Sequence, residues 1–190
     1  MASNSSSPLR PLQRYITTHD PTTEAAIFLP SEEKNTIAAA PVQEPLSGQE
    51  VNGFPFYLGY TTHEFPVNLA EAADLTAYRQ DLVTPPGLII STGSVCRIVD
   101  FPPATISAMH RSVSLDYAVV IEGEVELVLD SGETRRMKPG DLAVQRSTNH
   151  AWRNVTPASG WARMLYVLLP AIQLEGKGEL IEGIDIQASQ

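Results

Sequence analysis

The stretch AMHRSVSLDYAVVIEG, residues 108–123, decides how the chain folds. Side chains along a strand alternate with period two, so a strand here puts His110, Ser112, Ser114 and Asp116 on one face. Arg111, Val113, Leu115 and Tyr117 take the other face, and the apolar run 118–121 follows. Four polar side chains in a dry core would each need a hydrogen-bond partner, so the polar face is expected to line a cavity.

From Gly87 onward the chain reads as strands and turns. LIIST, SVCRIVDF, DYAVVI, EVELVLD, ETRRMK, DLAVQR, HAWRNV and WARMLYVLL are short β-type runs, divided by turn signals at Glu122-Gly123, Ser131-Gly132 and Pro139-Gly140. Strands at this spacing without intervening helices predict an all-β fold, an antiparallel sandwich or barrel. Upstream, RYITT, AAIFL and FYLGYTT are predicted strands, and 30–55 is a loop punctuated by proline and glycine. Asn68 and Glu71 have N-cap spacing, and Leu69, Ala72, Ala73, Leu75 and Leu82 predict one helix that ends before Pro85. The expected organisation is a disordered arm over 1–11 and an extension over 12–86, whose strands and short helix pack on a barrel spanning 87–170. A tail over 171–190 adds a strand or lies on the surface.

With 190 residues, 43% of them hydrophobic, the chain suits one domain with a sizeable core. Thirteen basic against 22 acidic residues give a net charge of −9, which repels a phosphate backbone or an anionic bilayer. A small-molecule substrate is therefore the expected partner, with no nucleic acid and no membrane. The single cysteine, Cys96, excludes an internal disulfide and reads as a small buried hydrophobe. No signal-peptide core and no run of 18 apolar residues occur, so a reducing, cytoplasmic location is expected.

His110 and His150 both fall in predicted strands, and His150, Trp152 and Asn154 share a face of HAWRN. Inward faces of different strands converge in a small barrel. With Asp116 the two histidines make two imidazoles and a carboxylate, the ligand set of a facial triad with open positions. The competing reading makes each a core histidine with one satisfied hydrogen bond. His19 and His63 lie beside turn-like residues and read as solvent-facing or capping. The guanidinium groups of Arg97 and Arg146 suit a planar carboxylate or phenolate, the alternative for each being a surface strand position. Trp152 and Tyr117 are candidate walls for a planar ligand, or core fillers.

The run from His110 to Asn154 resembles the two motifs of the cupin superfamily, HxHxxxExxxxxxG and GxxxxxPxGxxHxxxN. His110 matches the first histidine, Asp116 falls at the glutamate, and Gly123 closes the first motif; Gly140, His150 and Asn154 match the second, with one residue fewer between glycine and histidine. HRSVSLDY, PGDLAVQRSTNHAWRN and WARMLYVLL also resemble small single-domain cupins of fungi and bacteria, several of them encoded in clusters that make polyketide-type metabolites. The resemblance implies an antiparallel jelly-roll β-barrel with one short helix and a long N-terminal extension. It also implies a homodimer formed by exchanging N-terminal strands such as RYITT or AAIFL. Ser112 stands where cupins usually place their second histidine, and Asp116 reaches one methylene less far than glutamate.

Two versions of the site follow. In one, His110, Asp116 and His150 hold a divalent ion, iron, manganese, nickel or zinc, that acts as a Lewis acid. In the other no metal is present, a histidine acts as general base oriented by Asp116, and Ser112 or Ser114 donates to a developing oxyanion. Arg97, Ser112, Ser114 and Trp152 are the expected substrate-binding residues. The expected activity is of lyase or isomerase type, a decarboxylation, dehydration or isomerisation of a polyketide-like, oxygen-rich molecule. A non-haem iron dioxygenase and a non-catalytic metabolite-binding protein are the alternatives.

Overall fold

Period-two hydrophobicity in the sequence becomes period-two burial in the structure. The computed structural model describes residues 7–29 and 54–174; the first six residues of the predicted arm, nearly all of the predicted 30–55 loop and most of the predicted tail lie outside the described residues. Strand β1 (Thr17–His19) and strand β2 (Ala26–Phe28) pair with each other in a separate two-stranded sheet. The extension also supplies β3 (Phe56–Thr62), which pairs antiparallel with β4 (Ser94–Phe101). In β4 the inward positions are Val95, Arg97, Val99 and Phe101, all buried. In β5 (Ser114–Glu122) they are Ser114, Asp116, Ala118 and Val120.

The remaining strands are β6 (Val125–Leu129), β7 (Thr134–Met137), β8 (Leu142–Arg146), β9 (His150–Asn154) and β10 (Ala162–Pro170). They complete two antiparallel sheets, one in the order β3-β4-β10-β5-β8 and one in the order β7-β6-β9. The second sheet gains an irregular edge from residues 105–110. Ser107 N–H donates to the Trp152 carbonyl at 2.9 Å, Asn154 N–H to the Thr105 carbonyl at 2.9 Å, and His110 and His150 exchange backbone bonds at 2.8 and 2.9 Å. Residues 111–113 then carry the chain to the first sheet, where β5 begins. The result is a jelly-roll barrel, closed at the Glu122-Gly123 turn by a residue that must be glycine. Gly123 has φ +73°, and a Cβ there would lie 2.6 Å from the Trp161 carbonyl oxygen.

The main core lies between the sheets and includes Val99, Ala118, Val120, Val125 and Met164. A second cluster of Leu58, Tyr78, Val95 and Leu168 lies under helix α1 (Ala73–Val83), which follows a short 3-10 turn at Ala70–Ala72. Asn68 Oδ1 accepts the Ala70 N–H at 3.0 Å but does not cap the helix. Glu71 and Ala72 have positive φ, so α1 starts only at Ala73, with Ala72 at its N-cap and no side-chain cap bond. LIIST is not a strand: residues 88–92 form an irregular link, and Ile89 and Ile90 pack on the second cluster. Hydrophobic period alone does not separate a short apolar strand from a packed linker.

Between the first sheet and the extension lies a buried ion pair that no motif announced. Arg163 of β10 donates to both carboxylate oxygens of Asp100 of β4, Nε at 2.6 Å and Nη2 at 2.7 Å. Their side chains are 2% and 0% exposed. Arg163 Nη1 also donates to the Arg10 carbonyl at 2.7 Å, and so holds the arm against the barrel. Removing one partner of such a pair strands the other charge in the interior, at a cost of about 3–5 kcal/mol. Asp100→Asn, which keeps the shape, should therefore lower the unfolding free energy in urea by roughly that amount. A loss below about 1 kcal/mol, the scale of an exposed pair, would show that the pair does not hold β4 to β10.

Candidate active site

The inward faces of both sheets meet at a cavity of about 90 Å³. One water needs only about 10–15 Å³ by the same measure, so the space suits a small molecule rather than trapped solvent. Each sheet contributes polar groups: Arg97 from β4 and Asp116 from β5 on one side, His150 from β9 and His110 from the irregular edge on the other. Phe54, Phe56, Phe101, Trp152 and Tyr166 form much of the apolar wall.

The backbone bridge between His110 and His150 sets their rings side by side, with centroids 4.4 Å apart. Each ring uses the same nitrogen to reach its own backbone. His110 Nδ1 lies 2.9 Å from the Ala108 carbonyl, and His150 Nδ1 lies 2.9 Å from the Thr148 carbonyl. A carbonyl only accepts, so in the neutral ring Nδ1 carries the hydrogen and Nε2 keeps its lone pair. Burial, and then the neighbouring His110 charge, push the pKa of His150 down to about 4. His150 is thus a neutral imidazole at physiological pH.

Asp116 has the opposite bias. Burial raises its pKa, while hydrogen bonds from Ser114 and Ser112 and the His110 charge oppose the rise. Its Oδ1 is buried without a hydrogen-bond partner, and Oδ2 accepts from Ser112 Oγ at 3.4 Å. Ser114 Oγ donates in turn to Ser112 Oγ at 2.7 Å. Ser112 lines the cavity, but Ser114 stands behind it and supports it from 0% exposure, rather than touching a ligand as expected.

The three-ligand metal set expected of His110, Asp116 and His150 is not assembled. Among the described residues no group of three or more His, Cys, Asp or Glu side chains could hold a metal ion. The chain crosses at 111–113, so His110 belongs to the second sheet and Asp116 to the first, and the two do not share one uninterrupted strand face. Arg111, placed on the outer face by strict alternation, is buried at 7% exposure for the same reason. Two imidazoles with Nε2 available fall one short of the three protein ligands that an open catalytic metal site keeps, and Ser112 does not supply the third.

Other expectations divide cleanly. Arg97 and Trp152 line the cavity, and each is 2% exposed. Arg146 is exposed on β8, and Tyr117 is 41% exposed on the outer face of β5, so neither contributes. The tyrosine of the cavity is Tyr166, whose pKa burial raises well above its ordinary value. It was legible in the alternation of Met164, Tyr166 and Leu168 along β10. His63 is exposed, as a solvent-facing position should be, and its ring also reaches a buried partner. Its Nε2 lies 2.8 Å from Oδ2 of the buried Asp81, which also accepts from Thr61 at 2.5 Å.

The family model described as Cupin domain matches residues 97–167. Phomopsin biosynthesis cluster protein D of Diaporthe leptostromiformis is 43% identical over 183 residues, 95% of this chain and 90% of that protein. Oryzines biosynthesis cluster protein J of Aspergillus oryzae is 41% identical over 161 residues, 84% of this chain and 83% of that protein. Neurospora crassa has a protein named cupin-domain-containing oxidoreductase srdB that is 34% identical over 174 residues, 92% of this chain and 81% of its own length.

The depressed pKa of His150 has a consequence for stability. An unfolded histidine binds its proton near pH 6.5, whereas folded His150 binds it near 4, so between these values the unfolded chain holds more protons. Its contribution is complete above about pH 6.5, is lost as pH falls toward 4, and amounts to about 3 kcal/mol. Asp116, with a raised pKa, contributes in the opposite sense, so the comparison must be made against a His150 variant. From pH 6.5 to 4.5 the wild-type Tm should fall further than that of His150→Gln. Parallel curves would mean that His150 is not held neutral by the fold.

Proposed function

The chain belongs to the cupin-domain family that includes proteins of fungal biosynthetic clusters, and from that premise we propose that it is an enzyme of secondary metabolism. The reading is a lyase or isomerase that moves a proton on a small, oxygen-rich, polyketide-like molecule held in the barrel cavity. The observation that carries it is the histidine pair: both Nδ1–H groups are held by backbone carbonyls, leaving two Nε2 lone pairs for the cavity. Opposite them stands a carboxyl group biased toward its protonated form. An imidazole and a carboxyl group whose pKa burial raises, facing one cavity, are the two partners that proton transfer requires.

His110, the more exposed ring, takes the hydrogen from a carbon next to a carbonyl as a proton, and the electron pair of that bond moves into the substrate. His150 stays neutral beside it and adds no second positive charge. Asp116 delivers its proton to the far end. Where that end is a hydroxyl, water leaves and a carbon–carbon double bond forms; where it is a carbon, the double bond shifts. The Ser114–Ser112 chain donates to the carboxylate left on Asp116, which stabilises the charged product of the transfer. The proton held by His110 then returns to Asp116, and the starting state is restored.

A second reading, an oxidoreductase, draws its support from the names of the relatives. The two separate by what they consume. A panel of β-hydroxy and β-keto acids and ketones in D2O should show deuterium at carbon, or loss of water, without oxygen uptake. His110→Ala should slow that reaction by about 10²–10⁴-fold while leaving Tm nearly unchanged. Product formation that tracks oxygen uptake one for one would replace this reading with the oxidoreductase one.

A further inference from the structure

Arg97 is a cation buried in the cavity wall with no ion-pair partner among the described residues. It sits on β4 at 2% exposure and lines the cavity. Nη2 is held by two main-chain carbonyls, those of Gly87 and, at 3.3 Å, Pro86. Nε is buried with no hydrogen-bond partner, and Nη1 makes no protein hydrogen bond among the described residues. Nor does any described carboxylate come within 4 Å of the guanidinium; the ion pairs of the molecule lie elsewhere.

A buried, unpaired charge is costly, and proteins retain one where something else completes it. Burial lowers the pKa of Arg97 to about 10, with the more distant Asp81 charge opposing, so the group stays charged at neutral pH. The sheet register separates it from Asp116: Arg97 aligns with Tyr166 and Ala118, whereas Asp116 aligns with Leu168 and Val95, one inward row away. The rigid Pro85-Pro86-Gly87 link supplies the carbonyls that fix the guanidinium in place. Aromatic rings flank the space beside it, from Phe54, Phe56, Phe101 and Trp152.

We infer that Arg97 is the anion-binding subsite of this cavity and that the substrate is a small monocarboxylate with a flat, apolar or conjugated body. The carboxylate docks on the guanidinium, the body lies among the aromatic rings, and the far end reaches His110 and Asp116. The net charge of −9 repels anions from the molecule as a whole, so capture of this group depends on the field inside the cavity. The inference rests on reading the cavity as the substrate site, and binding without turnover separates the two.

Calorimetry and thermal shift with benzoate and its neutral isostere benzamide test it on wild type, Arg97→Met, Arg97→Lys and His110→Ala. Wild type and His110→Ala should bind benzoate at least tenfold more tightly than benzamide, with Arg97→Lys retaining part of the preference and Arg97→Met losing it. Should Arg97→Met fail to fold, the preference in wild type and its reduction in Arg97→Lys still decide. Equal affinity for the two probes, or a preference unchanged in the Arg97 variants, would overturn the subsite. Benzoate binding that depends on Arg97, in a protein that turns over none of the acids in the panel, would leave the subsite standing and remove the enzymatic reading.

Discussion

Two backbone hydrogen bonds exchanged between His110 and His150 are the constraint on which the rest of the site depends. They fix the irregular edge 105–110 to β9 and so determine where the chain must leave the second sheet to begin β5. Paired residues in an antiparallel ladder present their side chains on the same face. The two imidazoles are therefore neighbours by backbone geometry, before any side-chain contact forms. The carbonyls of Ala108 and Thr148, each two residues upstream of its histidine, then set both tautomers alike.

A cavity of this kind is expensive to keep. Arg97, Asp116 and His150 are all nearly buried, and two of them carry orphaned polar atoms. Two groups of the frame around them, in contrast, are well satisfied. The Arg163–Asp100 pair fastens β10 to β4, and Asn154 ties three segments at once, donating to the Phe101 and Pro102 carbonyls at 2.9 Å and to Gly160 at 3.0 Å. Asn154 Oδ1 also accepts the Thr156 N–H at 2.9 Å. Its motif position thus belongs to the scaffold that seats His150 and not to the chemistry. Inside the cavity Arg97 Nε and Asp116 Oδ1 have no hydrogen-bond partner, and a ligand can supply the missing ones.

Most of the barrel was legible because half-buried antiparallel strands alternate, and SVCRIVDF and FYLGYTT match β4 and β3 residue for residue. The site was legible in its parts but not in its assembly. Alternation projected from His110 to Asp116 assumes one unbroken strand, and a change of sheet at 111–113 leaves no mark in hydrophobic period. That single break puts His110 on the second sheet and Asp116 on the first. Arg97 looked ambiguous in sequence because a strand arginine is usually exposed; its burial depends on the linker carbonyls and on which face β10 covers, both of them tertiary facts. The Asp100–Arg163 pair was hidden for the same reason, its partners lying 63 positions apart in sequence.

The central claim is that the fold holds His150 as a neutral ring with its hydrogen on Nδ1 and its Nε2 lone pair available to the cavity. Nitrogen-15 NMR of the histidine rings across pH 4–7 tests it most directly, with His150→Gln for assignment. The account predicts a His150 ring protonated at Nδ1 alone throughout the upper part of this range, taking its second proton only near pH 4. A hydrogen on Nε2 at pH 7, or a ring that charges above pH 6, would contradict it.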